Sequence, residues 1–115
     1  MHVVLAGLLT TLLAAAPPST ARFTLSGEVV DVHCLERGEE NQGAPHADCA
    51  LSCARRGAVL GLRTADGIYT ITGPFTLDNN KKLIEFVASS VKATGVVTQR
   101  NGRRLINLSA IELDR

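Results

Sequence analysis

The sequence predicts a mainly β fold: a five-stranded barrel with one helix between the third and fourth strands and a short helical insertion between the first and second. Two observations lead there. Apolar residues alternate along five separate runs, and Asp-Gly and Asn-Gly dipeptides sit between two pairs of those runs, where tight hairpin turns need them. A third observation sets the domain boundary. Residues 3–16 (VVLAGLLTTLLAAA) are almost wholly apolar, yet at about fourteen residues they are too short to span a bilayer and fit the apolar stretch of an export leader. Pro17 and Pro18 break any helix, and Ser19-Thr20-Ala21 places small residues where a signal peptidase reads. Residues 1–21 are therefore read as a leader and 22–115 as a single domain, periplasmic or secreted, although Met1-His2 lacks the usual Lys or Arg.

The first strand is read over 23–34. Phe23, Leu25, Gly27 and Val29 share one face, then the phase slips and Val30, Val32 and Cys34 share one, a pattern that predicts a bulge. On that reading Cys34 ends the strand on its apolar side and His33 faces away, beside an Asp31 whose place is only that of strand alternation. Residues 36–45 (ERGEENQGAP) make a polar loop. Residues 46–56 (HADCALSCARR) read as a short helix closed by Gly57, although Asp48 is an alternative N-cap that would leave His46 ahead of it. Strands follow at 58–63 and 68–72, joined through Ala65-Asp66-Gly67. A loop at 73–80 leads to a predicted helix over 81–90, with Asn79 or Asn80 as N-cap and Leu83, Phe86 and Val87 as its apolar face. The last strands, 91–99 and 104–113, turn at Asn101-Gly102.

Five strands with a helix between the third and fourth is the element order of an OB-fold, and Gly27 and Gly95 suit strands that must curl to close a small barrel. Over residues 23–113 the chain resembles the small exported bacterial OB-fold domains. The resemblance implies the barrel but supplies no diagnostic motif, and the cysteine-bearing insertion after the first strand lies outside the general pattern.

Composition narrows the function. Twelve basic side chains balance eleven acidic ones, which gives no electrostatic case for nucleic acid or an anionic membrane. The four aromatics, Phe23, Tyr69, Phe75 and Phe86, are too few for a base-stacking surface. No phosphate loop and no complete catalytic constellation is present, so an enzyme is not expected.

Chemistry concentrates in the insertion, where Cys34, His46, Cys49 and Cys53 form a C-x11-H-x2-C-x3-C pattern. On one helix, residues 46, 49 and 53 cluster within roughly 60° of a single stripe, and the preceding loop can return them to Cys34. Three thiolates and an imidazole suit Zn²⁺ or Cu(I). The C-x3-C spacing of Cys49 and Cys53 is similar to that of copper-handling proteins of the Sco family and the CuA domain, whose histidines lie downstream. His33 is a further candidate ligand. The alternative is a disulfide from Cys34 to Cys49 or Cys53 stapling a metal-free binding module, whose face near Tyr69 meets a partner protein or a small ligand. A third reading makes Cys49 and Cys53 a redox dithiol.

Overall fold

The structure is a computed structural model that describes Gly7 and residues 21–115. The leader reading of residues 1–21 lies outside the described residues except at Gly7 and Ala21. Among the described residues no helix is long and apolar enough to cross a membrane.

Five strands carry the fold: β1 (Arg22–Asp31), β2 (Leu60–Thr64), β3 (Gly67–Thr72), β4 (Ser90–Arg100) and β5 (Arg103–Leu113). They hydrogen-bond in a closed ring in the order β1-β2-β3-β5-β4. Every pairing is antiparallel except β3 with β5, which run parallel from Tyr69↔Arg104 to Thr72↔Asn107. The β4–β5 hairpin turns at the expected Asn101-Gly102, and the β2–β3 hairpin turns at Ala65-Asp66 with Gly67 opening β3. Asn101 and Gly102 have φ of 51° and 76°, the left-handed pair that a two-residue turn between right-twisted strands requires.

The ring closes because β1 serves two neighbours. Arg22–Glu28 pairs with β4 and Glu28–Asp31 with β2, so Glu28 belongs to both ladders. The slip in apolar phase marks this handover and not a bulge. Beyond Glu28 the chain is enclosed on both sides, and Val29, Val30, Asp31 and Val32 are all buried. The register break lies instead in β4, between Thr94 and Gly95. A Cβ at Gly95 would strike the Asn107 carbonyl, and one at Gly27 the Arg63 carbonyl. Strand curvature thus brings backbones closer than any side chain permits. The core inside is aliphatic, with Leu60, Leu62, Leu83, Ile106, Val29 and Val91 almost fully enclosed. Burial of each such side chain contributes about 1.5–3 kcal/mol.

Tyr69 is buried too. Its ring lies 4.6 Å beneath the Arg104 guanidinium, and Arg104 Nη1 donates to its hydroxyl at 3.1 Å.

Three predicted elements change. No helix covers 81–90. A turn at Leu77–Asn80 contains left-handed residues Asp78, Asn79 and Asn80, a 3₁₀ turn covers Ile84–Phe86, and Val87 bridges to Val29. Leu83 is buried and Phe86 and Val87 pack against the core, so their spacing is satisfied by two tight turns. The first strand also stops short, at Asp31. The insertion then opens with α1 (Val32–Arg37), because Asp31 Oδ1 accepts a hydrogen bond from the Cys34 N–H at 3.1 Å and caps it. Cys34 and His33 are therefore helical. The second helix, α2 (Ala47–Arg55), starts after a separate 3₁₀ turn at Ala44–His46, which takes His46 off the helical stripe.

Candidate metal centre

The two insertion helices meet at one point. Asp31, at the end of β1, Cys34, in the first turn of α1, and Cys53, in the last turn of α2, bring one carboxylate oxygen and two sulfurs within 4.8 Å of one another. Asp31 and Cys34 are 3% and 5% exposed, while Cys53 is half-buried. Asp31 does two things here. One oxygen fixes α1, and a carboxylate has a second oxygen to offer the cluster.

Each sulfur has an arginine three residues later. Arg37 Nη2 lies 3.4 Å from Cys34 Sγ, and Arg56 Nη2 lies 3.6 Å from Cys53 Sγ. Both are suited to donate to a thiolate. Burial pushes the Cys34 thiol up from its ordinary pKa; the hydrogen bond from Arg37 works against that, and the nearby Asp31 charge adds to it. Without a cation the pocket thus holds Cys34 as the neutral thiol, and a bound metal reverses that preference because it takes the thiolate.

Cys53 is held by the way α2 ends. Gly57, at φ 88°, sends its N–H to the Ala54 carbonyl and Ala58 sends its own to Cys53, the paired bonds of a Schellman cap. Buried Asn80 then donates Nδ2 to the carbonyls of Ala54 and Ala58, at 3.0 and 2.9 Å. On the other side, Asn41 Nδ2 donates to the Cys34 carbonyl at 2.8 Å and draws the loop back over α1.

The other predicted ligands lie apart from this trio. Cys49 is exposed on α2. His46 lies in the 3₁₀ turn, and its Nε2 is buried without a hydrogen-bond partner. His33 is exposed, with Nδ1 3.7 Å from Glu36 Oε2. Asp31 was the residue that sequence reasoning missed. The legible signals were an Asp three residues before a cysteine, which is N-cap spacing, and the repeated C-x2-R of Cys34/Arg37 and Cys53/Arg56.

Asp31 and Cys53 also face a surface depression of about 410 Å³, bounded by His33, Arg56 and the stretch Gly57–Val59. Cys34 does not line it, so the cluster has a buried side and an open side. Scanned against protein-family models, curated proteins and solved structures, the chain gave no match.

Proposed function

We propose that this is an exported metal-binding domain, an OB-fold-like barrel that holds a divalent thiophilic ion, Zn²⁺ foremost, through Asp31, Cys34 and Cys53. One observation carries it: three ligand atoms of the right chemistry within 4.8 Å of one another, two of them on buried residues. Zinc–sulfur bonds of about 2.3 Å in a tetrahedron put two sulfurs about 3.8 Å apart, so closure onto an ion takes a shift of at most about an ångström. The carboxylate favours Zn²⁺ over Cu(I), which prefers an all-soft ligand set. Cys49 and His46 are left out of the proposed sphere. The OB-fold assignment is supported by the ring order, by the parallel β3–β5 pair, and by the site's position in the β1–β2 connection, one of the two loops with which such barrels bind ligands. The other, the β4–β5 hairpin, touches the same insertion through Arg103 Nη2 and Glu36 Oε1 at 3.5 Å. Export is supported by the apolar stretch at residues 3–16.

The test is metal stoichiometry on protein kept reduced. One equivalent of Zn²⁺ is expected, lost in Cys34→Ser and Cys53→Ser and retained in Cys49→Ser and His46→Ala. Reduced protein that takes up no Zn²⁺, or that loses none in Cys34→Ser and Cys53→Ser, would sink the proposal.

The same proximity favours a second reading, a disulfide between Cys34 and Cys53 that staples α2 to α1 and leaves Cys49 free. Closing that loop contributes about 3 kcal/mol. A thiol count on denatured protein separates the two: three for the metal centre, one for the staple.

A further inference from the structure

We infer that the ion at this centre keeps one coordination position open to the depression, and that this position takes a small monoanion whose second contact is Arg56. The inference rests on the metal centre proposed above and adds its exogenous ligand.

Three protein ligands leave a tetrahedral ion one short, and structural zinc sites close that position with a fourth side chain. Here the geometry supplies none. Cys34 occupies the buried side, and Asp31 and Cys53 are among the residues that line the depression. The wall at Gly57, Ala58 and Val59 has no side chain able to ligate. His33 also lines the depression, but it lies outside the 4.8 Å group and its Nδ1 is 3.7 Å from Glu36 Oε2. The fourth position of an ion held by these three residues would then face the depression that Asp31 and Cys53 line.

Charge selects the ligand. Two thiolates and a carboxylate carry three negative charges, and Zn²⁺ reduces them to one. Arg37 and Arg56, each beside a sulfur, add two positive charges and leave the centre at plus one. A monoanion neutralises it, whereas a neutral ligand leaves a partly buried centre charged. Arg56 is placed to recognise that anion. It lines the depression and meets Cys53, and a guanidinium has five N–H donors, so one directed at sulfur leaves others for a ligand bound alongside.

The test uses the full chain, reduced and loaded with Co²⁺ as a spectroscopic stand-in, titrated with azide. Sulfur-to-cobalt charge-transfer bands report the metal centre, and the visible ligand-field bands report the fourth position. Azide is expected to shift the ligand-field bands saturably. Arg56→Ala should weaken azide about tenfold, the worth of one charge-assisted hydrogen bond, in protein whose charge-transfer bands, moved by the loss of the donor to Cys53, still report one equivalent of bound Co²⁺. Arg56→Lys should recover part of the loss, and His33→Ala should leave the titration unchanged. Ligand-field bands that azide never moves, or that collapse in His33→Ala, would overturn the inference and leave a closed four-ligand site. Unchanged azide affinity in Arg56→Ala would equally overturn it. Absence of charge-transfer bands is a different result, because it removes the metal centre itself.

Discussion

Asp31 joins the barrel to its chemistry. Its carboxylate caps α1 and reaches the two sulfurs, and the two roles separate by substitution. Asn is as good an N-cap as Asp, so Asp31→Asn should keep the stability of the metal-free protein within about 0.5 kcal/mol while lowering Zn²⁺ affinity at least tenfold. Asp31→Ala should lose both, with about 1 kcal/mol of stability gone on urea denaturation. Equal metal affinity in wild type and Asp31→Asn would remove the carboxylate from the sphere. The cysteines differ just as sharply. Cys49 is exposed, whereas Cys34 is buried and its thiol is pushed up, so a maleimide at neutral pH should label Cys49 first and Cys34 last. Peptide mapping of a time course reads the order. The cysteines were legible in the sequence as chemistry, but their partner was not. The run VVDVHC alternates like a strand, whereas in the structure the Cys34 N–H donates a capping bond to Asp31 and the chain beyond it is helical.

At the scale of elements, α2 shows what a pattern can and cannot tell. Gly57 was readable as its stop, because a left-handed cap has few other occupants. The partner that fixes that cap, Asn80, was not readable, since it is 26 residues from Ala54 and its segment resembled a helix start. The segment failed to become a helix because Asp78, Asn79 and Asn80 take left-handed conformations that turn the Asn80 side chain inward under α2. Asn80→Ala forfeits both hydrogen bonds and puts Ala at φ 61°, at a cost of about 2 kcal/mol, with weaker metal binding because Cys53 sits on the loosened turn. Asn80→Gly relieves the backbone but not the bonds. It should recover only part of the stability, and full recovery would show that the amide contacts contribute nothing.

The ring of five strands and the insertion beside it share one core residue, Ala54 of α2, but the insertion contributes little else to that core, and the imbalance separates their stabilities. Ring closure depends on β1 pairing with both β2 and β4 and on an aliphatic interior; the five strands and both hairpins were legible because alternation and turn dipeptides are local, whereas the helix expected between β3 and β4 was not formed. Which strands close the ring was not, since that depends on pairings between residues as distant as Phe23 and Gly95. The insertion is held by less: small buried residues Ala50 and Ala54 from α2, Val32 and Leu35 from α1, and the Asn41 and Asn80 bonds. Two short helices of six and nine residues have little stability without such packing. Metal removal should therefore open the insertion and spare the ring. At a hundredfold excess over Kd, Zn²⁺ adds about 2.7 kcal/mol, which for a domain of this size raises Tm by roughly 10–20 °C. An oxidised Cys34–Cys53 pair would raise it by a similar amount, so the direction of the shift decides nothing and its reversal does. A chelator reverses the metal effect alone, and a phosphine reductant the disulfide alone. Hydrogen exchange places the change: on chelation, protection should fall across residues 32–57 while β1–β5 keep theirs. If chelation strips protection from β4 and β5 as well, the centre is part of the barrel's folding nucleus and not an appendage to it.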